Sequence, residues 1–224
     1  MKPLILITGE EGISPSLGSP HFVLSAKYPR AFAAAGTLPL SPQDFKLSAE
    51  YAELAEGLVL TEGPGIHRGR YGKYYRSREE MAKLCPSRDD FEFALFRAFV
   101  NLKKPVLGFG RGMEIINVAL GGTLTDDAEP DAGEERRIRI PEDTRAGKAV
   151  GTLPPARGNP ARRIERLAPA LRIWAESGEG VPVIEGIEHT ELPLFGVNWR
   201  GEWEDVLLGK LVPWFACRRE KAKW

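Results

Sequence analysis

Three glycines spaced two apart, in Gly108-Phe109-Gly110-Arg111-Gly112, separate two apolar stretches of this chain. Pro105 to Phe109 reads as a short strand buried on both faces. Met113 to Leu120, apolar at 113, 115, 116, 118, 119 and 120, reads as the first turns of a buried helix. A strand, a turn almost without side chains and a helix within so few residues make a sharp elbow. Its backbone must either approach a neighbour closely or adopt φ > 0, which glycine does at little cost. The turn also lies at the carboxyl end of a strand, where open α/β sheets place their ligands. The functional site is therefore expected here. A dinucleotide fingerprint would need G-x-G-x-x-G, and its third glycine falls on Met113, so that reading fails.

The elbow and its surroundings resemble the class I glutamine amidotransferase-like proteins, and among them the γ-glutamyl-γ-aminobutyrate hydrolase branch (peptidase C26 family). In that branch the elbow reads Gly-Ile-Cys-Arg-Gly-Met-Gln, followed by Asn-Val and then Gly-Gly-Thr-Leu. This chain has Gly108 to Glu114, Asn117-Val118 and Gly121-Gly122-Thr123-Leu124. Tyr71-Gly72, the Arg88-Asp89-Asp90-Phe91-Glu92 run and the stretch from Arg166-Leu167-Ala168-Pro169 to Glu188-His189 extend the likeness. It spans residues from about 3 to 212 and is strongest between Arg88 and Leu124.

The departures fall on the chemistry that the resemblance implies. The family's nucleophilic cysteine corresponds to Gly110. Its oxyanion Gly-Gly pair corresponds to Glu62-Gly63, so one glycine is a carboxylate. Its His-Pro-Glu, which supplies the base and the acid orienting it, corresponds to Arg200-Gly201-Glu202. Its Val-Asn-Ser-x-His-His-Gln signature has only Arg157-Gly158-Asn159-Pro160 in its place. A cysteine amidohydrolase needs a thiolate, a base and donors aimed at the oxyanion. Gly110 carries no side chain, and a guanidinium at position 200 stays protonated and cannot act as a base. Several independent losses point to a naturally degenerate site rather than one inactivating replacement.

The resemblance would bring Glu62, Arg111, Arg200 and Glu202 together over the elbow, with backbone N–H groups at Gly63 and Arg111, and Gly112 beside them. Arg200 could hold a carboxylate or phosphate bidentately, or pair with Glu62 or Glu202 and plug the pocket. The expected role is binding of a small ligand bearing a carboxylate or amide, or of a protein partner. The alternative is an active hydrolase of γ-glutamyl or related amides with relocated chemistry, for which His67, Glu62 and Glu202 are candidates. Cys85 and Cys217 match no catalytic position, and His21 and His189 are weaker candidates than His67. No cofactor and no metal are expected.

Elements around the elbow follow from pattern. Leu4 to Thr8, Leu38-Pro39-Leu40, Gly57 to Thr61 and Leu194 to Trp199 read as strands. Tyr28 to Ala35, Tyr51 to Ala55, Ser87 to about Asn101 and 203 to 217 read as helices, with a kink at Pro213. Leu171 to Ala175 and Val181 to Ile187 read as a hairpin. Residues 9 to 20 read as a loop, and 126 to 160 as loops with short edge strands. The carboxylates opening the helix at Ser87 read as partners of its macrodipole. The whole chain, 1–224, is then a single α/β domain: a three-layer, flavodoxin-like sandwich with a central, mostly parallel sheet, as the class I glutamine amidotransferase-like resemblance also implies.

Composition fits this. Hydrophobic residues make up 42% and charged residues 28% of 224, as in ordinary globular domains. The 31 basic and 31 acidic residues cancel, so no global field favours nucleic acid or an anionic membrane. The first apolar run is too short for a signal peptide, and no run suffices for a membrane helix. Two cysteines form neither a disulfide framework nor a metal motif, which suits the cytoplasm. The oligomeric state is left open, with a dimer compatible.

Overall fold

The computed structural model describes residues 1–13, 18–75, 78, 81, 84–125, 135–153, 155–157, 163–178, 182–198 and 204–217. Apolar runs buried on both faces form the centre of one eight-stranded sheet in the order β4-β1-β5-β6-β14-β13-β12-β9. Here β1 is Leu4–Ile7, β4 Leu38–Leu40, β5 Gly57–Leu60, β6 Val106–Phe109, β9 Ile138–Arg139, β12 Leu171–Ser177, β13 Val183–His189 and β14 Leu194–Val197. The pairings from β4 through β14 are parallel, and β14-β13, β13-β12 and β12-β9 are antiparallel. The parallel half has the flavodoxin-like order, in which the chain reverses direction across the sheet at β1.

Successive side chains of a strand point to opposite faces, and that alternation divides the core in two. Leu6, Leu58, Leu60 and Val106 pack with Ala52 of α2 (Ser48–Leu54), Phe93, Phe96 and Phe99 of α3 (Pro86–Asn101), and Ile115 and Ile116 of α4 (Arg111–Ala119). Ile5, Ile7, Val59, Leu107 and Phe109 pack with Tyr28 and Phe32 of α1 (Lys27–Ala34), Ala146 and Val150 of α5 (Arg145–Val150), and Leu208, Leu211 and Phe215 of α6 (Glu204–Cys217). Helices thus cover both faces of the sheet, as a three-layer sandwich requires. Pro213 lies within α6; residue 203 and the basic tail from 218 fall outside the described residues.

Three segments differ from expectation. Residues 9 to 20 are not simply a loop: β2 (Glu10–Ile13) and β3 (Pro20–Val23) pair as an antiparallel hairpin beside the main sheet. The 126–160 region contains α5 as well as the two-residue strands β8 (Glu135–Arg136) and β10 (Ala156–Arg157). The start of α5 is held by a distant carboxylate, the backbone N–H groups of Arg145 and Ala146 donating to Glu188 at 3.0 and 2.8 Å. Finally, the carboxylates of α3 do not act mainly as helix caps. Cys85 precedes the helix without a side-chain capping bond, while Asp89 and Glu92 are buried in tertiary ion pairs.

Candidate functional site

The elbow joins β6 to α4, and each of its glycines meets a different demand. Gly110 sits at φ 52°, ψ −107°, a conformation that costs a residue with a side chain on the order of 1–3 kcal/mol. Its N–H donates to the carbonyl of Val197 at 2.8 Å, fixing the turn to β14. A Cβ at Gly112 would lie 2.3 Å from the carbonyl oxygen of Leu60, and one at Gly108 would lie 2.4 Å from the carbonyl carbon of Gly112. Those two glycines let α4 rest directly on β5 and β6. At Gly110 itself there is room: a Cβ would meet only Glu62, 3.5 Å from that residue's Cβ.

Glu62 therefore faces the position a nucleophile would occupy. Its carboxylate accepts a hydrogen bond from Lys27 Nζ at 2.7 Å and another from the hydroxyl of Tyr28. The Tyr28 ring lies 5.2 Å from that of Phe109, the residue before Gly110. The glutamate side chain is 36% exposed, so this anchored carboxylate still reaches solvent beside the elbow.

Behind the elbow lies a buried lattice of alternating charge. Arg88 Nε donates to Glu92 Oε1 at 3.0 Å, and Arg111 Nε donates to Glu92 Oε2 at 2.9 Å. Arg111 Nη2 donates to Asp89 Oδ1 at 2.5 Å and Nη1 to the carbonyl of Pro64 at 2.8 Å. The Thr8 hydroxyl donates to Glu92 at 2.7 Å, and the His67 backbone N–H donates to Asp89 at 2.7 Å. Burial disfavours the Arg111 charge, but the Glu92 and Asp89 carboxylates outweigh it, so its pKa stands above an already high ordinary value. Arg88 Nη2 donates to the Thr61 hydroxyl at 3.2 Å and the Glu62 carbonyl at 3.0 Å, and its guanidinium lies so close to Gly63 that a Cβ there would be 2.2 Å from Nη1. Two cations and two anions neutralise one another, which is what makes charge at this depth tolerable. Together they tie the ends of β1 and β5 and the starts of α3 and α4 into one frame.

The sequence-derived site residues are placed as follows. Glu62, Gly63, Gly110, Arg111 and Gly112 gather at the elbow. The Arg111 side chain is committed to the buried lattice, so a ligand would meet its backbone rather than its guanidinium. Arg200 and Glu202 lie outside the described residues. His67 Nδ1 accepts the Gly69 N–H at 3.1 Å, and its ring stands edge-on to Tyr75 at 4.7 Å. Cys85 Sγ lies 3.4 Å from the Ser87 hydroxyl before α3. His21 is on β3, and its Nδ1 donates to the Ser19 carbonyl at 2.9 Å. His189 ends β13, at the amino edge of the parallel strands and away from the elbow. Among the described residues no three His, Cys, Asp or Glu side chains are placed to hold a metal ion, and no helix is long and apolar enough to cross a membrane.

Sequence reasoning did not name Lys27 and Tyr28 as site residues, and it read the carboxylates of the Arg88 to Glu92 run as partners of the helix macrodipole. A signal existed for each. A carboxylate replacing glycine at position 62 needs a partner, and Arg88 and Glu92 stand four apart on one helix face.

The family model for peptidase C26 matches residues 3–202. The glutamine amidotransferase-like protein YvdE of Lactococcus lactis is 27% identical over 72% of this chain and 73% of its own length. Protein NtpR of Enterococcus hirae is 28% identical over 74% of this chain and 73% of its own length. Among solved structures, one described as a GMP synthase subunit from Thermoplasma acidophilum superposes with a TM-score of 0.63 at 13% identity, covering 96% of this chain and 95% of that one. At that identity it speaks for the fold alone.

Proposed function

Because the chain belongs to the peptidase C26 family, we propose that it keeps the family's elbow as a binding site after losing the family's cysteine chemistry. The observation that carries this is Gly110. The elbow holds the backbone twist expected of a nucleophile-bearing turn, with space above it, on a residue that has no nucleophile. The lattice of Arg88, Asp89, Glu92 and Arg111 supports the same reading, since the frame persists without the reacting group.

The ligand is a small molecule bearing a carboxylate or an amide. Glu62, anchored by Lys27 and Tyr28, offers acceptors toward an amide or ammonium group. The N-terminal backbone of α4 offers donors toward an anion. Arg200 and Glu202, in the segment that holds base and acid in the family, complete the set by sequence. The protein resides in the cytoplasm.

The experiment is hydrolysis of glutamine and of a γ-glutamyl amide by the purified protein, beside a Gly110→Cys/Arg200→His double variant. The native protein is expected to be silent and the double variant to gain slow turnover, because the frame already holds the geometry. Turnover by the native protein would overturn the reading in favour of a hydrolase with relocated groups, and the search would move to Glu202, His67 and Glu62.

A further inference from the structure

A cavity opens on the same edge of the sheet as the elbow, on the far side of β1 from it. It measures about 280 Å³ and is lined by Gly9, His21, Phe22, Gln43, Phe45, Ser87, Arg88 and Phe91. Neither Gly110 nor Glu62 belongs to it. It lies beyond the carboxyl ends of β1 and β4, against the start of α3. The hairpin β2–β3, lying over the end of β1, forms one wall. Phe22 packs so tightly on Gly9 that a Cβ there would lie 2.5 Å from its ring. Phe45 and Phe91 supply two further rings, and Phe45 is 54% exposed although it is a large apolar side chain.

His21, Gln43 and Ser87 add polar groups to the lining, and its buried charge is one guanidinium. Arg88 is 5% exposed, and its Nε and Nη2 are fully engaged with Glu92, Thr61 and the Glu62 carbonyl. Among the described residues its Nη1 faces the carboxylate of Glu10 on β2, at 3.4 Å, and that carboxylate is 42% exposed. So long a contact to a solvated side chain is weak. Three aromatic walls around one under-used buried cation define a ligand: a flat aromatic ring carrying an anionic substituent. About 280 Å³ accommodates one ring, or two at most.

We propose that this cavity is a binding site for a small aromatic carboxylate, whose anion takes the place of Glu10 on Arg88 while its ring lies among Phe22, Phe45 and Phe91. The site shares Arg88 with the frame behind the elbow, but its existence does not rest on the loss of catalysis there. Glu10 acts as a resident competitor that a ligand anion displaces.

Benzoate is the probe, titrated into the isotopically labelled full-length chain and followed by backbone amide shifts. Saturable shifts centred on Gly9, Phe22, Ser87 and Arg88 are expected, with a dissociation constant below about 1 mM. Acetate, which lacks the ring, and benzamide, which lacks the charge, should each bind about tenfold more weakly. Phe45→Ala, a change at a half-exposed position, should weaken benzoate about threefold or more. Glu10→Gln should tighten it up to about fivefold while leaving benzamide unchanged. Absent saturation, shifts centred on the elbow, indifference to Phe45→Ala, or weaker benzoate binding in Glu10→Gln would each overturn the proposal. None of these outcomes bears on γ-glutamyl amide turnover, so the two readings fail separately.

Discussion

Arg111 and Gly112 are adjacent and both buried, yet they answer to different physics. Arg111 is stabilised because Asp89 and Glu92 need it. Replacing it with methionine keeps much of the volume but removes the cation that pairs Asp89 and leaves Glu92 with Arg88 as its remaining cation. Breaking a buried ion pair on one side costs roughly 3–5 kcal/mol. Arg111→Met should therefore move the urea midpoint strongly downward, even though no reacting group is touched. Gly112 answers to contact. A methyl group 2.3 Å from the Leu60 carbonyl has no flexible neighbour to push aside, so α4 itself must lift from the sheet. Gly110→Ala meets no such clash and pays only for its backbone angle, on the order of 1–3 kcal/mol. Equilibrium unfolding should rank Gly112→Ala as the more damaging of the two, and the reverse order would mean that the elbow is held open by strain rather than by close approach. This distinction was only half visible in the sequence. Gly-x-Gly-x-Gly announced a tight elbow, but spacing cannot say which glycine serves the turn and which serves the packing.

At the scale of elements, legibility followed burial. Strands such as β1, β5 and β6 are buried on both faces and so appear as unbroken apolar runs. The hairpin β2–β3 does not, because Glu10-Glu11-Gly12-Ile13 has no apolar alternation and lies outside the main sheet. Helix α5 was equally hidden, since its starting N–H groups are capped by Glu188, 43 and 42 residues away. The turn that follows β13 shows the same dependence on geometry. His189 Nδ1 accepts from the backbone N–H groups of Glu191 and Leu192, both at 3.0 Å. Burial lowers the His189 pKa, Glu191 works against that shift and Arg145 adds to it. The native state thus binds fewer protons than the unfolded chain as the pH falls through about 6.5, so stability from this group is complete above that pH. It is lost below it, as the unfolded chain takes up protons. Urea midpoints measured from pH 7.5 down to about 5.5 should fall, and His189→Asn, which keeps a side-chain acceptor without titrating, should flatten that slope. An unchanged slope would place the sensitivity elsewhere.

For the whole molecule the elbow was legible in the sequence, but the frame behind it was not. Motif residues Gly110 and Glu62 could be compared with a family pattern one by one. The lattice joining Thr8, Thr61, Arg88, Asp89, Glu92 and Arg111 draws on the ends of β1 and β5 and on α3 and α4, and beyond the Arg88–Glu92 spacing no local pattern connects them. The same global view raises the question of how so large a sheet avoids pairing through its edges. β4 is an edge strand, with Leu38 and Leu40 exposed at 48% and 45%. Leu38 N donates inward to the carbonyl of Pro3 at 2.7 Å, so by alternation the next residue's nitrogen faces outward. That residue is Pro39, which has no N–H to offer, and an edge strand without a central donor is a poor template for another chain. Pro39→Val restores the donor in a strand-favouring residue while leaving the inward bonds intact. The variant should keep the fold by circular dichroism but associate with rising concentration in light scattering, through the β4 edge. If it stays in the same assembly state as the native chain at every concentration, the short length of β4 protects the edge and Pro39 does not.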